Sequence, residues 1–467
     1  MLKALHQGFT EYLVTVPGWE MEAHSISDIE TASSELSGLD RSRIFPFYLP
    51  DFFDEAGSLV TLRVAAVLDR LGRAGERGLP DLRTGGVASG SDFFNREAEI
   101  TEIWETVEKG EDCILRAPRR FGKTSLALHL KSRPWPTWRV CYVDLEGDSS
   151  PADFIFSLFK ALSENPECAE CLPEVFATAR GKGWTSEQRA GFLELEKDRI
   201  DHDWRGCGGR LLGSLGFQKA KLLLILDEFS FLAENICGRE GRGRGELEDL
   251  LEWFSALRKD KPTGLCFMIS GSEHLPSYLR SMGISNDFTA MRPILLTTFD
   301  EDKAQAYIFL TMARQNISLP PEESLHILKL MGKPIPYFLQ LFLDALVNKC
   351  RSGEVLNKDS MEKVYQNELL GTGSKRNFEA IIRQKERYAE RNPSLRSAPR
   401  QMLSRLALAE SVEKKSLEAA WNEESRQPGS FAALFEIIRD DFYLAEKDGQ
   451  VSFDSKLLRD WWIRHVL

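Results

Sequence analysis

What the sequence lacks narrows its reading first. No stretch approaches the ~18 uninterrupted apolar residues of a membrane-spanning helix, and the densest run, Leu222 to Leu226, stops at Asp227. The first residues lack the basic, apolar and small-residue order of a secretion signal, so a cytoplasmic location without membrane contact is expected. Positive charge is not in surplus. Lys and Arg number 60 against 71 Asp and Glu, a net charge of −11, which excludes coating of nucleic acid by bulk charge and leaves only a local basic patch. The eight Cys are scattered; only Cys168 and Cys171 have a ligand-like spacing, and no second Cys pair or nearby His pair completes a zinc site. The seven His are dispersed too, no nucleophile elbow is visible, and no internal repeat occurs.

What is present belongs to a globular chain. With 42% hydrophobic residues, 28 Phe and 10 Trp, there is ample material for packed cores, and 467 residues suffice for about three domains. Residues 1–90 read as a separate module of unassigned role: a Ser-rich acidic stretch (Ser25 to Asp40), an aromatic cluster (Phe45 to Phe53), a helix-like segment (Ser58 to Ala74) and a Gly-, Arg- and Pro-containing linker over about 75–90. Residues 91–299 alternate short β-branched runs with helix-period segments. The runs are Cys113 to Leu115, Arg139 to Leu145, Lys221 to Leu226, Gly264 to Ser270 and Ile294 to Thr297. That alternation predicts an α/β fold, a parallel sheet with helices on both faces. Two segments, Glu164 to Gly216 and Gly238 to Gly245, interrupt it as expected insertions on the rim of the sheet. Helical periodicity fills 300–394, with candidate helices Asp302 to Arg314, Pro321 to Met331 and Pro336 to Lys349. Residues 395–467 combine short helices with strand fragments around Lys447-Asp448-Gly449, which suggests a winged helix.

The clearest chemical signal is Ala117-Pro118-Arg119-Arg120-Phe121-Gly122-Lys123-Thr124, followed by Ser125, set between an expected strand and an expected helix. This is a P-loop. Backbone N–H groups at a helix N-terminus surround phosphates, Lys123 reaches the β and γ oxygens, and the Thr124 hydroxyl holds Mg²⁺. The pattern usually begins with Gly; Ala117 fits unless the position demands a positive φ. Downstream, Leu222 to Glu228 is a buried-strand run ending in two acids. Asp227 is expected on the Mg²⁺ side, and Glu228 as the general base for an attacking water. Because nucleotide binding alone needs no second carboxylate there, hydrolysis is favoured, and Glu273 is the alternative base. The strand ending Ser270-Gly271-Ser272 places Ser270 as a sensor of phosphate state, with a plain turn residue as the alternative.

The P-loop, the Leu226-Asp227-Glu228 element, the Ser-Gly-Ser strand end and Phe94-Asn95-Arg96-Glu97 together resemble prokaryotic ATPases of the AAA+ and STAND group, especially the archaeal-type ATPase family with a C-terminal winged helix. The resemblance spans about residue 93 to the end. It implies a P-loop NTPase core with strand order 5-1-4-3-2, a helical lid, and ATP with Mg²⁺ as cofactors. It also implies further site residues. Arg96 lies in a box set against adenine, or only caps its own helix. Pro336 follows Gly332 in a lid box that faces the base, or only starts a helix. Arg292 matches the place of an arginine finger or trigger acting in cis or in trans, or is a solvated loop residue.

The expected function is an ATP-binding, ATP-hydrolysing switch that acts on a protein partner or by self-assembly, with slow or partner-stimulated turnover. A DNA-associated AAA+ ATPase is the alternative. Lys375 to Arg400 is the most basic stretch, whereas the segment from Leu395 onward is nearly balanced in charge and does not supply the basic face of a DNA reader.

Overall fold

The computed structural model describes three short strands between Tyr12 and Tyr48, the single positions Leu82, Ala88 and Phe93, and most of the chain from Arg96 onward. The residues after Arg96 outside this description are 119, 170, 172–185, 214, 216–219, most of 272–287, 316, 318, 375–377, 379–396, 426–429 and 442–443. The Ser58 to Ala74 segment, most of the 75–90 linker and most of the basic Lys375 to Arg400 stretch therefore fall outside it.

Near the N-terminus, β1 (Tyr12–Val16), β2 (Trp19–Ala23) and β3 (Phe45–Tyr48) form an antiparallel sheet in the order β2-β1-β3. The sequence reading assigned no strand at β1 and β2. Yet Val16 pairs with Trp19 across Pro17-Gly18, and Tyr12–Val16 has the β-branched and aromatic content of a strand.

Strands β4 (Cys113–Arg116), β5 (Trp138–Asp144), β6 (Lys221–Asp227), β7 (Leu265–Gly271) and β8 (Arg292–Leu295) form a wholly parallel sheet in the order β5-β6-β7-β4-β8. Counted along the core, this is the expected 5-1-4-3-2 read from the other edge. Side chains alternate across the pleat. Leu223 and Ile225 join one core with Trp104, Leu126 and Leu130, while Leu222, Leu224 and Leu226 join the other with Phe154, Leu158 and Phe254. Both faces are thus covered, as a parallel sheet requires.

The core helices are α1 (Glu97–Glu108), α2 (Lys123–Ser132), α3 (Pro151–Glu164), α4 (Pro166–Ala169), α5 (Ser186–His202), α6 (Trp204–Gly213), α7 (Phe229–Cys237) and α8 (Gly243–Lys259). Helices α4 to α6 lie in the segment expected as a rim insertion, but Cys168, Ile200, Leu211 and Leu212 join the second core. Helix α5 is charged on every side, which hid its period. Cys168 and Cys171 are buried thiols among apolar neighbours. At the short α7–α8 connection a Cβ on Gly243 would meet the Ile236 carbonyl at 2.2 Å, so only glycine fits there.

Helices α9 (Glu301–Arg314), α10 (Pro321–Met331), α11 (Pro336–Arg351) and α12 (Lys358–Val364) follow, the last continuing into a π-turn at Tyr365–Leu369. The final elements are α13 (Ala398–Leu408), β9 (Val412–Glu413), α14 (Lys414–Ser425), α15 (Ser430–Asp441), β10 (Leu444–Lys447), β11 (Gln450–Phe453) and α16 (Lys456–His465). The β10–β11 hairpin turns at Asp448 and Gly449, both at positive φ, as a two-residue I′ turn requires.

Helix α16 is bolted onto the preceding helices. Tyr365 donates to Asp460 at 2.9 Å, Arg464 donates to the Gln366 carbonyl at 2.6 Å, and Phe378 stacks on Trp461 at 4.8 Å. Lys333 pairs with Asp454. Among the described residues no helix is long and apolar enough to cross a membrane.

Candidate nucleotide site

The site is built where β4 and β6 end and α2 and α7 begin. In a parallel sheet these strand ends share one edge, with helix N-termini directed at it. Arg120 sits at φ 70° and Gly122 at φ 92°, a left-handed pair that turns the chain sharply from strand into helix. A left-handed L-residue costs about 1–2 kcal/mol. Arg120 is held in place by its guanidinium, 4.1 Å from the centre of the Tyr337 ring at the start of α11. Ala117 is buried and is not at positive φ, so the absent first glycine leaves no strain.

Lys123 is buried, and its ammonium donates to the carbonyls of Ala117 at 3.0 Å and Pro118 at 3.3 Å. The Thr124 hydroxyl donates to Asp227 Oδ2 at 2.9 Å. Ser125 Oγ accepts from the Ala88 N–H at 3.1 Å, so the chain just before the core passes beside the loop. Phe121 is buried, and its carbonyl accepts from Arg96 at 3.2 Å. Arg119 lies outside the described residues.

Asp227 is only 1% exposed. Its Oδ1 accepts from Ser270 Oγ at 2.5 Å and from the Glu228 N–H at 3.0 Å. Glu228 is the turn between β6 and α7, at φ 54° and ψ 36°. A non-glycine residue there stores strain of about 1–3 kcal/mol, as functional sites often do. The sequence-expected Lys123, Thr124, Asp227, Glu228 and Ser270 are therefore gathered at one edge. Glu273 lies outside the described residues.

Tyr142 was not found by sequence reasoning. It lies on β5, and its phenol donates to Asp227 Oδ2 at 2.9 Å. Burial, and then the Asp227 carboxylate, push its pKa well above the ordinary phenol range, so it remains a donor at neutral pH. The only available signal was alternation, which puts Trp138, Val140, Tyr142 and Asp144 on one face of β5.

Three other expected residues stand differently. Arg96 is 5% exposed and bonds to Glu99 at 2.8 Å and to the carbonyls of Phe121 and Thr297, with its guanidinium over the Phe299 ring. It braces the P-loop against the segment after β8. Pro336 opens α11 at a first-turn position, directly before Tyr337. Arg292 is not brought to the site of its own chain. It pairs in register with Cys113 at the start of β4, whereas the P-loop leaves β4 after Arg116, which pairs with Leu295. Three residues of strand, ~10 Å, separate the two edges. Arg292 bonds to Glu102 at 3.1 Å, with both side chains well exposed.

No protein-family model matches the chain, and no curated protein does. Solved structures do. A Walker-type ATPase of Pyrococcus abyssi superposes with a TM-score of 0.57 at 21% identity, over 82% of this chain and 98% of that one. The ORC2 protein of Aeropyrum pernix, in ADPNP–ADP complexes, gives 0.43 at 12% identity over 78% and 91%. The RuvB Holliday junction branch migration motor of Thermotoga maritima gives 0.37 at 12% over 78% and 94%. At 21% identity the likeness to the Pyrococcus abyssi ATPase is one of fold alone, and the sheet order agrees with it. The chain has the fold of a P-loop NTPase core.

Proposed function

We propose that this chain is an ATP-binding and ATP-hydrolysing switch of the AAA+ and STAND kind, acting on a protein partner or on further copies of itself. The observation that carries this reading is the meeting of Lys123 and Thr124 with Asp227, Glu228 and Ser270 at one sheet edge. On this reading ATP draws the Lys123 ammonium from the Ala117 and Pro118 carbonyls to its β and γ phosphates, beside the amides that open α2. The Thr124 hydroxyl and Asp227 carboxylate are hard oxygen donors and suit Mg²⁺, which when bound offsets phosphate charge. Glu228 accepts the proton of the attacking water, and Ser270 responds to the γ-phosphate. Arg96 acts through the loop it braces, and Pro336 faces the base.

Residues 91–299 act as the core, 300–394 as the lid and 395–467 as a winged helix. The order helix, strand, helix, helix, strand, strand from α13 to β11 supports that last assignment. The contacts of α16 would make the lid and the C-terminal elements one output arm, joined to the P-loop through Arg120 and Tyr337.

The same C-terminal order favours a second reading, a DNA-associated ATPase. Against it, α15, which stands where a winged helix presents its reading helix, carries Glu436, Asp440 and Asp441 with a single Arg439. Filter binding to duplex DNA at two salt concentrations separates the two: the switch reading predicts no specific retention, and a steep salt slope supports the DNA reading. The nucleotide site itself is tested by Lys123→Ala, which should abolish turnover and weaken ATP binding; unchanged turnover in the folded variant places the site elsewhere.

A further inference from the structure

The carboxylate of Asp227 offers about four lone-pair positions, and four donors fill them. Ser270 and the Glu228 N–H bond to Oδ1, and Thr124 and Tyr142 bond to Oδ2. With Asp227 only 1% exposed, bulk solvent supplies none of this. Three of the four donors have a place in the nucleotide reading. Tyr142 does not: it stands on β5, opposite Ile225, on a strand that contributes neither the P-loop nor the paired acids.

For Asp227 to accept one more donor, from water on a bound Mg²⁺, one of the four must turn away. The Glu228 N–H is backbone. The Thr124 hydroxyl can keep donating to Oδ2 while its own lone pairs serve the metal. The Ser270 hydroxyl can leave by rotation about a single side-chain bond. The Tyr142 oxygen lies at the end of a rigid ring and leaves only if the whole ring swings, and that ring packs against the first core with Lys131 Nζ 6.0 Å from its centre. The two contacts therefore differ in kind: one is a bond that can be exchanged, the other a strut.

We propose that Tyr142 is a positioning residue for the metal side of the site, holding Asp227 Oδ2 in place while Ser270 gives up its bond to Oδ1. This inference rests on the nucleotide reading above. The sheet accounts for the geometry. Tyr142, Asp227 and Ser270 stand on the adjacent strands β5, β6 and β7 and on the same sheet face, so the phenol reaches the carboxylate without leaving its own strand.

Tyr142→Phe removes one oxygen and keeps the ring, and binding of a fluorescent ATP analogue measured without divalent metal and across a Mg²⁺ titration tests it. The affinity in EDTA should match wild type, and the melting temperature should fall only modestly, as the loss of one hydrogen bond to a buried carboxylate requires. The Mg²⁺ concentration for half-maximal enhancement of binding should rise by roughly 10- to 100-fold, the order expected for one hydrogen bond to a charged group. Ser270→Ala should leave that midpoint unchanged or lower it, since the bond it removes is one that metal binding must break. An unchanged midpoint in Tyr142→Phe overturns the proposal, as does an equal loss of affinity with and without Mg²⁺, which would make Tyr142 a packing residue. A larger rise of the midpoint in Ser270→Ala overturns it as well, by giving the strut to Ser270. If wild type shows no Mg²⁺-dependent ATP binding, the nucleotide reading itself falls, and that outcome is distinct from the others.

Discussion

The guanidinium of Arg120, at the apex of the P-loop, stacks on the ring of Tyr337, the second residue of α11. From Tyr337 the aromatic contacts continue. Tyr337 meets Phe338 edge-on, Phe338 stacks on Phe378 at 5.0 Å, and Phe378 stacks on Trp461 of α16. A packed chain of rings thus runs from the phosphate loop to the last helix.

If that contact carries the switch, Tyr337→Ala should uncouple the arm from the loop. A cation–π pair contributes about 0.5–2 kcal/mol, so ATP affinity should change by no more than about 30-fold while the ATP-dependent change in shape is lost. Small-angle scattering with ATP and with ADP measures this; an undiminished difference between the two states removes Tyr337 from the coupling.

Arg292 gives a prediction about assembly. Its place at the far edge of the sheet means that a role at a γ-phosphate requires a neighbouring copy. Its exposed pair with Glu102 contributes little and is easily exchanged. Turnover per chain should then rise with protein concentration, and Arg292→Ala should lose that rise while keeping ATP affinity. Mixing Arg292→Ala with Lys123→Ala should restore part of the activity, because one supplies the site and the other the arginine. No recovery in a mixture that does associate would leave Arg292 a surface residue.

Asp148, in the loop after β5, predicts a pH effect on stability. Burial raises its pKa from 3.8 to about 6, and among the described residues its Oδ2 has no hydrogen-bond partner. Between those two values the folded chain holds the proton more tightly than the unfolded chain. Stability from this group is therefore complete below about pH 4 and is lost as pH rises through 6. Asp148→Asn should raise the melting temperature at pH 7.5 and leave it unchanged at pH 4. Because the group is partly solvated, the gain should be only about 1 kcal/mol. Thermal melts at the two pH values check it.

The half of the site proposed to bind phosphate was legible as a motif because it is local. Gly122, Lys123 and Thr124 are consecutive, Asp227 and Glu228 close a visible apolar run, and Ser270 ends another. What was not legible depends on pairings distant in sequence. Tyr142 reads as one more strand aromatic until β5 is laid beside β6. The Arg96 motif marked a position beside the P-loop, but its partners, the carbonyls of Phe121 and Thr297, exist only in the fold. Arg292 was expected just before a strand at Ile294 to Thr297. The strand instead begins at Arg292 itself, and the parallel register with β4 then fixes it at the edge away from the P-loop.

The central claim, an ATPase whose ATP state differs in shape from its ADP state, is tested most directly by Glu228→Gln. This change keeps the size of the side chain but removes the proton acceptor, so ATP should still bind with Mg²⁺ while turnover falls by roughly 10²-fold or more. The variant held in ATP should elute from a sizing column at a volume shifted from that of its ADP state. Normal turnover would contradict the assignment of Glu228, and tight ATP binding with one and the same elution volume in both nucleotides would contradict the switch.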